Sequence, residues 1–120
     1  MTQVLESPIL VSDFEWTLTR YHEAIKNGTF TPADKLELLH GKLVKKMSIN
    51  PPHSSCLKKL NKFFNRRFLD VYELMSENPI TLTNNSEPEP DFAIVNLDKN
   101  DYQAGHPTAK DIHLVVEIAD

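Results

Sequence analysis

The chain has 120 residues, of which 40% are hydrophobic and 25% charged, and a formal net charge of −4; these values are ordinary for a single soluble domain. The charge argues against a basic surface over the whole molecule, but it leaves room for a local nucleic-acid patch. Cys56 is the only cysteine, which excludes an intrachain disulfide and suits a reducing compartment. No apolar run is long enough to cross a bilayer, and the N-terminus lacks the features of a secretion signal. We therefore expect a cytoplasmic protein.

The first third of the chain predicts a lead-in, a helix and a hairpin. Residues 1–13 are mixed in composition and predict an extended segment, and residues 14–26 carry a rough apolar face that predicts a helix. Asn27-Gly28 then provides a stop signal. Residues 36–47 place apolar side chains on both sides of His40-Gly41, where glycine permits the positive φ of a tight turn. This pattern predicts a β-hairpin rather than a helix, because Gly41 would lie inside the helix.

A second helix is predicted from residue 53 or 54 to residue 69, directly after Pro51-Pro52. Ser54 or Ser55 could cap its N-terminus. The apolar stripe at helical spacing consists of Leu57, Leu60, Phe64 and Phe68, with Phe63 widening it. Cys56 is predicted to be a small core residue of this helix.

The second half of the chain predicts strands separated by loops. Residues 71–76, 79–83, 92–95 and 114–118 are the candidate strands, and residues 96–111 form a long polar loop. The order helix, hairpin, helix and strands predicts an α/β or α+β domain, with a mixed sheet packed against at least the second helix. We expect one domain over residues 1–120, with a lead-in over 1–34 and a core over 35–120.

Two strands each carry one isolated acid, Asp91 and Glu117, among apolar neighbours. If these strands pair, the two carboxylates can meet at one edge of the sheet, where they repel each other unless a cation or a proton intervenes. Magnesium suits such a pair because it prefers oxygen ligands and keeps several waters, and it can activate water against a phosphodiester. The alternative is that each acid caps a strand end or meets a lysine, and spacing alone favours that alternative.

Two further candidates flank this pair in the sequence. Glu37 interrupts the apolar run before the hairpin turn, and without more context it is interpreted as an outward-facing residue. His53 opens the second helix, where a histidine can bind a metal or a phosphate but is more often simply solvated.

Basic residues recur along the second helix. Lys58, Lys62 and Arg66 lie on or beside the face opposite the apolar stripe, together with Lys59 and Arg67. Such a face can follow a phosphate backbone, although a solvated helix surface explains it equally well. No exposed aromatic residues alternate with these charges, so a base-stacking platform is not predicted here.

Four segments, in this order, resemble motifs of the Uma-two family of endonucleases, a branch of the restriction-endonuclease-like PD-(D/E)xK superfamily. The segments are residues 37–44 (ELLHGKLV), 51–53 (PPH), 89–95 (EPDFAIV) and 114–120 (LVVEIAD). The resemblance covers residues 35–120. It implies a restriction-endonuclease-like mixed central sheet flanked by helices, and a magnesium-dependent cut in DNA, with manganese as a substitute.

In that scheme Asp91 and Glu117 hold the metal, Glu37 lies near it on the hairpin, and His53 is a neighbour. The superfamily often places a lysine two residues after the second acid, and that position is Ala119 here. Members of the family are expected to supply the lysine from a helix beyond the last strand seen here. We therefore expect a C-terminally truncated domain that binds metal weakly and cuts poorly.

The resemblance leaves two other functions open. The domain could be a non-catalytic interaction module that keeps the nuclease fold and pairs through an exposed sheet edge at residues 115–118, which implies a homo-oligomer or a completing chain. It could also bind DNA simply through Lys58, Lys62 and Arg66. No membrane partner is expected.

Overall fold

The computed structural model describes residues 14–47 and 49–119; the predicted lead-in over residues 1–13 lies outside them. Two α-helices, five strands and two short 3₁₀ turns follow one another along the described residues. They are α1 (Leu18–Lys26), a 3₁₀ turn (Pro32–Asp34), β1 (Leu36–Leu39), β2 (Lys42–Lys45), α2 (Pro51–Phe68), β3 (Glu73–Met75), β4 (Phe92–Val95), a 3₁₀ turn (Ala109–Asp111) and β5 (Ile112–Val116). No helix in this part of the chain is both long and apolar enough to cross a membrane.

Helix α1 begins four residues later than the sequence predicted. The Thr17 hydroxyl accepts the Arg20 N–H at 3.1 Å, so Thr17 caps the helix and the start predicted at residue 14 is wrong. A threonine in this position satisfies one of the amide groups that the first turn leaves without a helical partner. Tyr21 and Ala24 form the buried side of the helix.

The predicted hairpin is confirmed. Strands β1 and β2 pair antiparallel, with Leu38 opposite Leu43 and Leu39 opposite Lys42. His40 and Gly41 connect them, and both have a positive φ, of 49° and 76°, as a tight two-residue hairpin turn requires. Gly41 has a second reason to lack a side chain, because an added Cβ would lie 3.2 Å from the carbonyl oxygen of Trp16.

Helix α2 is confirmed, but its cap is not the predicted Ser54 or Ser55. The Asn50 side chain accepts the His53 N–H at 2.9 Å, and the two prolines then occupy the first turn. Proline is tolerated there because those N–H groups have no helical acceptor. The prediction that Cys56 is a core residue is also wrong, since Cys56 is exposed.

Strands β3, β4 and β5 form a three-stranded sheet in that order, and both pairings are antiparallel. All four residues of the central strand β4 are buried, and the Phe64 ring of α2 stacks on Phe92 with 5.3 Å between centroids. The core is therefore centred on β4, with α2 packed against it through Phe64. The predicted strand over residues 79–83 is absent; only two isolated bridges form there, Thr81 to Thr108 and Leu82 to Ser86.

Two helices and two small antiparallel sheets confirm the predicted α+β class, and they are consistent with a restriction-endonuclease-like domain. Between the named strands of the described residues every pairing is antiparallel. The parallel component expected of a mixed sheet is represented among these residues by the single Thr81–Thr108 bridge.

Candidate active site

The antiparallel register of β4 and β5 brings the two predicted acids together. Phe92 pairs with Val116, so the residues just beyond this pair, Asp91 and Glu117, lie opposite each other. The backbone amide of Ile118 donates to Asp91 Oδ2 at 2.7 Å, which fixes the Asp91 carboxylate at the end of the ladder. Asp91 and Glu117 therefore share one edge of the sheet, as the sequence predicted.

The electrostatics of Glu117 show how close the two carboxyl groups are. Although Glu117 is exposed by its surface area, partial burial of its carboxyl group raises its pKa. The negative charge of Asp91 and a side-chain hydrogen bond to Asp91 raise that pKa further, and Glu37 adds to the effect. Two adjacent carboxylates favour a shared proton or cation.

Glu37 comes to the same place from the hairpin. Its Oε2 accepts the backbone N–H of Glu89 at 2.9 Å, two residues before Asp91. Glu37 is half-buried, so its interpretation as an outward-facing hairpin residue is wrong. The hydrogen bond ties β1 to the segment that leads into β4.

His53 also reaches the acid pair, from the first turn of α2. Its Nε2 lies 3.1 Å from Asp91 Oδ1, and the two side chains are only 12% and 14% exposed. A solvated histidine at a helix start would be far more exposed than this. The first turn of α2 therefore brings His53 beside one oxygen of Asp91, while the other oxygen accepts the Ile118 N–H.

These residues line one groove with a volume of about 920 Å³. Its acidic and imidazole groups are Glu37, His53, Glu77, Glu89, Asp91 and Glu117. Lys46 is also there, with its Nζ 3.5 Å from Glu89 Oε1. Sequence reasoning had not chosen Glu89 or Lys46, although Glu89 is the first residue of the EPD segment and its position two before Asp91 was a usable signal.

The donor set of this groove bears on the metal that the resemblance implies. Within residues 14–47 and 49–119, no group of three or more His, Cys, Asp or Glu side chains has the arrangement of a metal site. Two carboxylates nevertheless fit magnesium, which is commonly held by one or two of them while waters and substrate phosphate complete its coordination. The pair of Asp91 and Glu117 thus fits a hydrated hard cation and does not fit a site enclosed by protein ligands.

The basic residues of α2 lie elsewhere. Lys58, Lys62 and Arg66 are exposed and border a shallow hollow of about 430 Å³ together with Asn61 and Asn65. Because they recur every four residues, they occupy one side of the helix, and Phe64 faces the sheet from another. None of the three is among the residues that line the acidic groove.

A second buried acid, Glu87, had escaped the sequence analysis. It is 3% exposed; His22 Nε2 lies 2.5 Å from its Oε2, and the Thr81 hydroxyl donates to its Oε1 at 2.9 Å. His106 Nε2 is 3.8 Å from the same Oε1. The partners come from three distant parts of the chain, so no local motif could have revealed this cluster.

An α+β domain with one carboxylate directly before its central strand, opposite a second directly after the neighbouring strand, is consistent with a restriction-endonuclease-like domain. The model of the Uma2 (Uma-two) family matches residues 18–120. Its description is "Putative restriction endonuclease". The chain therefore belongs to the Uma2 family. No curated protein and no solved structure matches it.

Proposed function

We propose that this domain is a metal-dependent endonuclease that hydrolyses phosphodiester bonds in DNA, with Asp91 and Glu117 as the ligands of Mg²⁺ or Mn²⁺. Membership of a family described as restriction endonucleases supports the nuclease class. The observation that carries the metal assignment is the antiparallel register that sets two repelling carboxyl groups opposite each other. Like charges directly opposite each other destabilise a pair of strands, and such arrangements cluster at functional sites.

The residues around the pair hold it in a fixed geometry. Asp91 Oδ2 accepts the Ile118 N–H at 2.7 Å, and His53 Nε2 lies 3.1 Å from the other carboxylate oxygen. Asp91 and Glu117 would hold the cation from the adjoining ends of β4 and β5. When bound, the metal supplies charge neutralisation for the phosphate and lowers the pKa of a coordinated water.

Glu37 is a positioning residue in this scheme. Its carboxylate holds the backbone of Glu89, and that backbone leads directly into the Pro90-Asp91 pair. Its charge also contributes to the raised pKa of Glu117. Loss of Glu37 would therefore free the backbone segment that leads into β4, and it would lower the proton affinity of Glu117.

A cation must also offset the negative charge that develops on the phosphate during hydrolysis. The superfamily position for this lysine is occupied by Ala119. Lys46 takes that role in our proposal, because it lines the same groove and its ion pair with Glu89 draws the ammonium group toward the acids. Its side chain is 25% exposed, which is compatible with contact to a bound phosphate.

Nicking of supercoiled plasmid in Mn²⁺ tests the proposal. Asp91→Asn should abolish nicking, since the amide keeps the hydrogen bond from Ile118 but loses the charge. The matched control is Asp70→Asn, a change of the same chemistry at an exposed turn position after α2. Nicking by Asp91→Asn at the wild-type rate, or equal loss in the Asp70→Asn control, would remove the basis of the assignment.

The basic side of α2 is proposed as a secondary contact to the DNA backbone. Lys58, Lys62 and Arg66 are exposed and share one side of the helix. Each phosphate contact makes affinity fall as salt rises. Changing all three to glutamate should therefore lower DNA affinity and flatten its salt dependence; an unchanged slope would eliminate this contact.

One observation favours the alternative function, a non-catalytic module that associates through a sheet edge. Among the described residues β5 pairs only with β4, and Leu114 and Val115 are 40% and 42% exposed. An apolar edge strand is a template for pairing with a second copy or a completing chain. Sedimentation over a range of concentrations distinguishes the cases: self-association lost in Val115→Lys supports edge pairing, and a monomer throughout opposes it.

A further inference from the structure

The groove that contains the acid pair also has an apolar wall. This wall consists of Ile25, Phe30, Val44, Met47 and Ile49, all of which line the same cavity as Asp91 and Glu117. Four of the five are well exposed: Met47 is 85% exposed, Ile25 47%, Ile49 45% and Val44 37%. Exposed apolar side chains that cluster beside a polar centre mark a binding surface.

Lysines border the apolar wall at the open end of the hairpin. Lys45 stands opposite Leu36 at the end of the ladder, and the Lys46 amide donates to the Lys35 carbonyl at 2.7 Å. All three lysines line the groove. The groove thus combines an apolar surface, a row of cations and an acidic centre.

A nucleotide within a strand has the matching composition. Its base presents an apolar face, and its sugar is attached to anionic phosphates. A second copy of this chain matches less well, because each copy has a net charge of −4 and would bring further negative charge to an acidic groove. A cavity of about 920 Å³ is within the range of sites for small molecules. Its size suits an unstacked nucleotide.

We propose that the apolar wall receives the base of an unpaired nucleotide whose phosphodiester lies at Asp91 and Glu117, so that the domain acts on single-stranded or locally unpaired DNA. This inference rests on the proposed nuclease function and specifies its substrate. Phe30 provides the aromatic face of the wall, supported by ring contacts with Trp16 and Tyr21 at 5.4 and 6.4 Å. Enzymes that act on an unstacked base read it through such apolar and aromatic contacts.

Binding is measured separately from cutting, by fluorescence anisotropy in Ca²⁺ with the full chain. The probes are a labelled single strand, the same strand in a duplex, and that duplex with a central unpaired bulge. The test variant is Met47→Ser/Ile49→Ser, and the control is Leu97→Ser, which removes an apolar side chain of similar exposure (55%) outside the groove. Thermal unfolding of each variant establishes that it is folded.

The wild type should bind the single strand and the bulge at least about fivefold more tightly than the duplex, because only an unpaired base can stack on the wall. The double variant should lose that preference, and Leu97→Ser should keep it. Equal binding of all three probes by the wild type, or a preference that survives in the double variant, would overturn the inference. So would a double variant that changes the sedimentation coefficient instead, since the wall would then be an interface between copies.

The two proposals can fail separately. If Asp91→Asn abolishes nicking while the wild type shows no preference for unpaired DNA, the nuclease assignment stands and the base site is refuted. If Asp91→Asn nicks normally while the wall variant loses single-strand binding, the base site stands and the metal-dependent cut is refuted.

Discussion

Replacing Asp91 separates its structural contribution from its chemical one. Its Oδ2 accepts the Ile118 N–H at 2.7 Å, and the side chain is 14% exposed. A hydrogen bond to a charged group contributes about 1.5–3 kcal/mol, and removing the charge also relieves the repulsion on Glu117. We therefore expect Asp91→Ala to lower the free energy of unfolding by about 1–2 kcal/mol. Asp91→Asn keeps an acceptor for the Ile118 N–H, so its free energy of unfolding should fall by clearly less.

Urea unfolding without divalent ions, followed by far-UV circular dichroism, measures this difference. The two variants should have the same dependence of free energy on urea concentration as the wild type, which shows that the same surface is exposed on unfolding. If Asp91→Asn loses as much stability as Asp91→Ala, the Ile118 hydrogen bond does not hold the carboxylate, and the geometry argued for the site is wrong.

Three further outcomes are expected. Burial and nearby acids raise the pKa of Tyr21 to about 12. The stability that neutral Tyr21 contributes is therefore complete below pH 10 and is lost as the pH rises toward 12. Tyr21→Phe should flatten this loss of stability at alkaline pH, and an unchanged profile would contradict the argument. The pKa of Glu117 is raised in the fold, so ionisation of this carboxyl group lowers the free energy of unfolding. Glu117→Gln should therefore raise the melting temperature measured without metal; a decrease would show that no repulsion is relieved. Glu87→Ala should lower the free energy of unfolding by about 1–3 kcal/mol because it removes the hydrogen bonds that the buried Glu87 carboxylate accepts, including that from the Thr81 hydroxyl. Glu87→Gln should lose less stability; equal losses in urea unfolding would argue against these hydrogen bonds.

The elements that sequence predicted well are those with local causes. Gly41 follows His40 between two apolar runs, and turn chemistry alone specifies the hairpin there. Strand β4 (Phe92–Val95) is a short apolar run after Pro90 and appears where it was predicted. Pairing of the two strands was the condition on which Asp91 and Glu117 were predicted to meet. The register agrees, because Asp91 directly precedes β4 and Glu117 directly follows β5 at the same end of the ladder.

The errors arose where distant contacts decide the outcome. Cys56 was predicted to be a core residue and Phe63 to widen the apolar stripe, but Cys56 is exposed and Phe63 is 48% exposed, because the helix turns its Phe64 side to the sheet. Which side of a broad apolar stripe becomes buried depends on the partner element, and the stripe alone does not fix it.

The candidate site shows the same limit. Glu37 and His53 could be named from their motifs, but their contacts with the Glu89 backbone and with Asp91 depend on how the hairpin and α2 pack around β4. Glu87 belongs to no short motif. Its partners are His22, which lies 65 residues before it, Thr81, 6 residues before it, and His106, 19 residues after it. Side-chain clusters assembled across the sequence become visible only in the fold.

Isothermal titration of the wild type with Mn²⁺ tests the central claim most directly. One binding site should appear in the wild type and disappear in both Asp91→Asn and Glu117→Gln, while Asp70→Asn binds as the wild type does. If the wild type takes up no metal, or if either site variant binds it unchanged, the two carboxylates do not form a cation site and the account of this groove is contradicted.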